Sequence, residues 1–540
     1  MLLNDVVAQT LRAHSVEVMF GLMGDANMYI ADSFHRLEGG QFIAAANEGG
    51  AVLMAAAYAS VADDVGVATV THGAILNCVT GLFEAARGGN PVLVISGDTA
   101  REEAFHLQNL PQRDIVVPTG AVYREVRSPD TISVDVAAAL AEARARRGPV
   151  VLAIPSDFQL AESAARVDAP GAIYPGVTTP MREDLEEVAS MVLGAKRPVV
   201  IAGRGVSATD ALHHVSAFAE RLGAPVATTL RGKGLFDDDP FNLGICGTLS
   251  HPIASEVIGA ADCIIAFGAG LSALTTLKGD LVRGKSIIQI DISAEKIGRF
   301  WPATIAVVAD AGATAIALTE LLDEAEVPPL QGRSDSLRER LAQWHAQDRT
   351  ERGPDTDLDI TGVLQLMDEI VEPDRSLTID GGRFSHEALR NMTVQDPRFY
   401  AHCLNIGHIG LGVSSGIGAA VARPHAPCLV IVGDGGFMLG GLTELNTAVR
   451  YGLNVVVCLL NDSAYGAEYY RFIERETDAS LTTFEWPSFA AIASSLGAKG
   501  IRVTHWSDFD EVRSAVANLD GPLVVEVVLD RDTVPSPGEH

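Results

Sequence analysis

The chain has 540 residues, too many for one compact core, and usual domain sizes predict about three or four domains. Its 47% hydrophobic content, few aromatics and 52 glycines are ordinary for a globular protein. A formal charge of −29 argues against a nucleic-acid or anionic-membrane partner, whose phosphates need a basic surface.

At the start, MLLNDVVAQTLRAH has an early Asp5 and helical amphipathicity in place of a charged-then-apolar secretion signal. No apolar run approaches the roughly 20 residues needed to cross a bilayer, so a cytoplasmic protein is expected. VGVATVT (65–71) and NPVLVISG (90–97) read as strands flanking the helical LNCVTGLFEAARG. The proline-rich stretch 161–180 reads as a connection between domains. RPVVIAG (197–203), DCIIAFG (262–268) and KSIIQIDIS (285–293) punctuate the helices of a second block. EVPPLQGRSDS (326–336) then leads through a charged helix to RTERGPDTD (349–357), a second connection. The last block holds APCLVIVGDGG (426–436), NVVVCLLND (454–462) and GPLVVEVVL (521–529). Continuous Val/Ile/Leu strands separated by helices predict α/β architecture, three doubly wound parallel-sheet domains over 1–165, 181–328 and 355–540. Ligands in such sheets bind beyond the carboxyl ends of the strands. The six cysteines (78, 246, 263, 403, 428 and 458) are scattered, several within apolar strands, and read as buried reduced thiols.

The strongest local signal is IVGDGGF, where a buried strand ends in Gly433, Asp434, Gly435 and Gly436 before a helix, LTELNTAVRYG. Glycines let the backbone approach a phosphate, and a helix offers its N-terminal amides to an anion. Asp434 would repel a bare phosphate, so a divalent cation such as Mg²⁺ between them makes sense of it. The alternative is an exposed turn whose aspartate caps the next helix. A second apolar strand ends at Asn461 and Asp462, which offers a second ligand.

GDG followed by NDSAYG resembles the cofactor motif of thiamine diphosphate (ThDP) enzymes, whose usual frame is N-N-x-x-Y-G. The resemblance implies Mg²⁺ held by Asp434, a second side chain and a backbone carbonyl. The frame points to Asp462 and the Ala464 carbonyl, with Tyr465 beside them. The spacing is one residue long unless FMLGGL contains an insertion, so Asn461 stays a rival ligand. ThDP chemistry needs a glutamate that bonds the far aminopyrimidine nitrogen, best in apolar surroundings where it can share a proton. Glu48 is the only residue charged at neutral pH from Phe42 to Ser60 and stands where the family has that glutamate. A carboxylate attracted by a helix dipole is the alternative. NIGHIGLGVSSGIGAA (405–420) resembles the segment that bends the cofactor, with Ile409 as the wedge and His408 beside it.

The resemblance runs over nearly the whole chain and is to the acetolactate synthase, pyruvate decarboxylase and benzoylformate decarboxylase group. It implies, in order, pyrimidine-binding, central and diphosphate-binding domains. It also implies a homodimer or homotetramer with active sites between chains, and a small 2-oxo acid, aldehyde or ketone substrate. Asp25 in GLMGDAN and Glu468 fall where decarboxylases place acids, although a turn residue and an exposed helix face are the plain readings. His72 in THGAILN, and His106 with Gln108 in FHLQN, fall near histidine and glutamine positions of the group. Acetolactate synthase fits less well. Gly120 and Ala121 stand where its lysine is expected, and AEYYRFIERE replaces its tryptophan segment. Tyr465, Tyr469 and Tyr470 either line an apolar pocket or pack a helix. The expected reaction is decarboxylation of a 2-oxo acid to an enamine that is protonated or ligated to a second carbonyl. An acetolactate synthase-like carboligase, an acyloin lyase and a non-catalytic cofactor-binding homologue are the alternatives. GRGVSA (203–208) resembles a dinucleotide fingerprint, so FAD is possible in the central domain without being expected.

Overall fold

The computed structural model describes residues 1–103, 105–167, 177–347 and 356–533. The middle of the connection at 161–180 and most of 349–357 lie outside these residues.

Three sheets, every pairing in them parallel, carry the fold. The first comprises β1 (Val18–Gly21), β2 (Gln41–Ala44), β3 (Gly66–Val70), β4 (Val92–Asp98), β5 (Val122–Glu125) and β6 (Pro149–Pro155). Its order is β2-β1-β3-β4-β6-β5. The second comprises β7 (Pro198–Ala202), β8 (Val226–Thr228), β9 (Asn242–Ile245), β10 (Cys263–Phe267), β11 (Ser286–Asp291) and β12 (Ile305–Val308), in the order β12-β11-β10-β7-β8-β9. The third comprises β13 (Ser376–Ile379), β14 (Cys428–Gly433), β15 (Val455–Asn461), β16 (Lys499–Val503) and β17 (Leu523–Val528), in the order β13-β14-β15-β17-β16. The apolar runs end where the strands end, because interior strands covered by helices must be apolar on both faces.

The first and third sheets share one compact unit (1–173, 351–392 and 399–540), and the second sheet forms another (174–350 with 393–398). In the first unit the helices Glu48–Ala62 and Gly412–Ala422 pack together. Almost every residue of both is buried, as expected of helices that are apolar all round. Two buried carboxylates join the halves of this unit. Glu84 accepts from the Asn405 and Ile406 amides at 3.1 and 3.2 Å, and also from the Asn405 side chain. Glu444 accepts from the Ala46 and Asn47 amides at 3.1 and 2.9 Å and from Thr447 Oγ1 at 2.8 Å.

Glu444 therefore fixes the backbone just before Glu48. Asn47 in turn caps the Glu48 helix, its side chain accepting from the Gly49 and Gly50 amides. Glu444→Ala strips two amides of their acceptor and is expected to cost about 1–3 kcal/mol. Thermal unfolding measures it, and an unchanged melting temperature contradicts the role.

All six cysteines are free and buried. No helix among the described residues is long and apolar enough to cross a membrane.

Candidate active site

β14 and β15 are neighbours, so the residues that leave their carboxyl ends lie side by side. The chain leaves β14 directly into helix. Asp434–Gly436 already has helical geometry, followed by a π turn at Phe437–Gly441 and the helix Leu442–Arg450. The sequence had placed the start of that helix later. A π turn takes up one residue more than an α turn, which accommodates the extra residue in the spacing from Asp434 to the Asn-Asp pair.

Asp434 is buried, with Gly435 N donating to Oδ1 at 2.7 Å and Trp486 Nε1 donating to Oδ2 at 3.0 Å. Burial, then the nearby Asp462 carboxylate, push its pKa up to about 7. Gly435 is obligatory: a Cβ there would stand 2.5 Å from the Tyr465 ring, which packs edge-on to Phe484. Asn461 and Asp462 point to different partners, as neighbours leaving a strand must. Asn461 Nδ2 donates to Glu526 Oε1 at 2.9 Å, and its Oδ1 accepts from Ser463. Asp462 accepts from the Ala464 amide at 3.2 Å and from Arg383 Nη2 at 3.1 Å. Burial raises the Asp462 carboxyl, with Arg383 opposing the rise. Ser463 turns the chain at φ 55°, bringing buried Ala464 back beside the two carboxylates.

β13 contributes a third strand end. Asp380, fully buried, accepts from the Gly381, Gly410 and Leu411 amides at 2.9, 2.8 and 3.2 Å. It thereby pins the 405–412 loop, although burial still holds its carboxyl up to about 6. On that loop Ile409 is half-buried, and His408 is exposed with Nδ1 2.5 Å from the Ile409 carbonyl oxygen.

The remaining candidates lie around the first sheet. Glu48 is the first residue of its helix, half-buried, and accepts from Asn77 Nδ2 at 2.9 Å. Among the described residues no hydrogen bond or ion pair joins it to Asp434 or Asp462 of the same chain. Asp25 follows β1 and His72 follows β3, the adjacent strands where the sheet order reverses. Thr71 Oγ1 donates to Asp25 at 3.1 Å, and buried His72 has Nδ1 3.9 Å from the same carboxylate. Burial lowers the His72 pKa, with Asp25 opposing the fall. The His106 ring centroid is 5.4 Å from that of His72, and the Gln108 amide donates to His106 Nδ1 at 3.2 Å. Asp25, His72, His106 and Gln108 thus converge.

Glu468 sits on the exposed helix Gly466–Glu474. Tyr469 on that helix donates to Asp532 at 2.7 Å, Tyr470 is half-buried, and Tyr465 is exposed. Four site residues were missed from sequence: Trp486, Arg383, Asp380 and Glu444. Only Asp380 had a signal, since SLTIDGG ends a strand in the same Asp-Gly-Gly way as IVGDGG.

Comparison with known families matches three models in chain order. They are the N-terminal TPP (thiamine pyrophosphate) binding domain over 1–116, the central domain over 185–318 and the C-terminal TPP binding domain over 380–527. Together these cover well over half of the chain. It belongs to the thiamine pyrophosphate enzymes. Within that family, YdaP of Bacillus subtilis is 27% identical over 545 residues, covering 99% of this chain and 93% of YdaP. An acetolactate synthase of Mycobacterium leprae is 28% identical, over 97% of this chain and 87% of the relative. A sulfoacetaldehyde acetyltransferase of Castellaniella defragrans is 26% identical, over 94% and 88%. The three sheets are the three domains of a thiamine pyrophosphate enzyme of the acetolactate synthase and pyruvate decarboxylase group.

The donor set at β14 and β15 fits the cofactor of this family. The Asp434 and Asp462 carboxylates, at the ends of adjacent strands, repel one another, and a cation between them would relieve this. In the central domain of this thiamine pyrophosphate enzyme, Gly203 and Gly205 donate their amides to Phe267 and Gly268 carbonyls at 2.9 and 3.2 Å. Close approach of two backbones is what those glycines serve there.

Proposed function

We propose that the protein is a ThDP- and Mg²⁺-dependent enzyme that makes or breaks a carbon–carbon bond beside a carbonyl, starting from a 2-oxo acid. The observation that carries the reading is the pair of carboxylates, buried Asp434 and half-buried Asp462, at the ends of adjacent strands. Mg²⁺ needs one or two such carboxylates and takes its other oxygens from ligand phosphates. Asp434, Asp462 and the Ala464 carbonyl would hold the metal, and the Gly433, Gly435 and Gly436 backbone would lie beside the diphosphate. Asp462 is preferred to Asn461 because Asn461 is turned to Glu526 and Ser463. The bound thiazolium supplies an electron sink for the bond that breaks.

The chain's own groups do the rest. Ile409, on the loop pinned by Asp380, would wedge between the cofactor rings, with His408 beside it. Glu48 would hold the proton at the far aminopyrimidine nitrogen. A homodimer or homotetramer, in which Glu48 serves a partner's site, is the assembly this reading implies. Asp25, His72 and Glu468 would exchange protons with the substrate, and Gln108 would hydrogen-bond to it.

The fate of the acyl unit divides two readings. Paired acids such as Asp25 and Glu468 favour protonation and release of an aldehyde. The relatives named acetolactate synthase favour addition to a second carbonyl, so a carboligase stands equally. Incubation with a panel of 2-oxo acids, with and without acceptor aldehyde, followed by product identification, separates them. Aldehyde as the product in both arms supports the decarboxylase, and acyloin or acetohydroxy acid supports the carboligase. Turnover of no 2-oxo acid in either arm contradicts both.

A further inference from the structure

The second carboxylate of the clamp has a cation of its own. Arg383 leaves the end of β13, its side chain only 3% exposed, and Nη2 donates to Asp462 Oδ2 at 3.1 Å and to the Arg531 carbonyl at 2.8 Å. Its Nε is buried without a hydrogen-bond partner. Gly466 leaves the space for this arrangement. A Cβ there would stand 2.9 Å from Asp462 Oδ2 and 3.0 Å from Arg383 Nε.

In the ionised form that metal binding needs, Asp434 and Asp462 carry two negative charges into the site, and a diphosphate would add more. Such a cluster over-binds a bare cation and repels the phosphates that must join it. Arg383 brings the three side chains to the net charge of a single carboxylate. An amide in place of Asp462, with no arginine, would give the same sum.

Resting on the ThDP–Mg²⁺ reading, we propose that Arg383 is a positioning residue that serves as the fixed countercharge of the metal clamp. It holds Asp462 in place and lets a doubly anionic metal site accept a diphosphate. Arg383 and Asp462 therefore act as one exchangeable unit. Removing either charge unbalances the site in opposite directions, and removing both restores the balance.

The test measures Mn²⁺ affinity of the full-length, cofactor-free protein, and ThDP affinity at saturating Mg²⁺, in wild type, Arg383→Met, Asp462→Asn and the double variant. Arg383→Met is expected to bind Mn²⁺ about tenfold more tightly and ThDP about tenfold more weakly, since an opposite charge this close moves such equilibria by at least that much. Asp462→Asn is expected to bind Mn²⁺ about tenfold more weakly. The double variant is expected within about threefold of wild type for both. A merely structural role cannot tighten metal binding in Arg383→Met. Should a single variant fail to fold, the double variant, free of both buried charges, still decides. Both affinities near wild type support the proposal, and a loss of either overturns it. Mn²⁺ binding unchanged or weakened in Arg383→Met also overturns it, whereas wild type that binds no ThDP with Mg²⁺ overturns the cofactor reading itself.

Discussion

Asp434→Asn is expected to weaken ThDP binding in the presence of Mg²⁺ by about 100-fold or more. Losing an outer partner of a metal ligand already costs about 10–100-fold, and a ligand carboxylate costs at least as much. The amide keeps an oxygen for the Gly435 amide or the Trp486 indole, so the surrounding fold has what it needs.

The pH dependence gives the same prediction a second handle. In the folded, metal-free protein the Asp434 carboxyl holds its proton up to about pH 7, against an ordinary value of 3.8. Folding therefore gains from this group at low pH and loses that gain as pH rises through the interval between those values. Metal needs the ionised form, so Mg²⁺-supported ThDP affinity should fall about tenfold for each pH unit below 7. In Asp434→Asn the part of both effects that comes from this carboxyl is lost, and at pH 8 the ligand-free variant should melt higher than wild type. Calorimetric titration of ThDP and thermal melting across pH 5.5–8 measure both. Unchanged affinity in the variant removes Asp434 from the metal site.

Glu48→Gln is expected to lower turnover by about 10²–10⁴-fold, the usual worth of a positioned acid–base group. Cofactor affinity should change little, because the diphosphate end carries the binding. Glutamine keeps the length of the side chain and can still pair with Asn77, but it cannot share a proton. The helix start should survive, since Asn47 caps it and Glu444 holds the Asn47 amide from outside. Steady-state kinetics beside ThDP titration separates the two quantities. An unaffected rate removes Glu48 from the mechanism, and a collapse of ThDP affinity reassigns it to binding.

Much of this site could be read from the chain because its signals are local. Val/Ile/Leu runs mark strands whose two faces are both covered, and GDGG and NDSAYG sit at the ends of two of them. The choice between Asn461 and Asp462 was not local. The proposal of Asp462 rests on a π turn at Phe437–Gly441 and on the different partners the two side chains meet. The partners of the two carboxylates were further out of reach. Trp486 meets Asp434 across 52 residues of chain and Arg383 meets Asp462 across 79, with no pattern in either segment to announce the pairing. The histidine cluster lay between these extremes. THGAILN and FHLQN are separate loops, and only the β1–β3 crevice and the stretch after β4 bring His72, His106 and Asp25 together.

The most direct test of the central claim is carbon dioxide release from a carboxyl-labelled 2-oxo acid, followed with ThDP and Mg²⁺ both present and with each omitted. The expected result is release that needs both, is abolished in Asp434→Asn, and falls by about 10²–10⁴-fold in Glu48→Gln. Release that persists without ThDP, or no release from any 2-oxo acid with both present, contradicts the account.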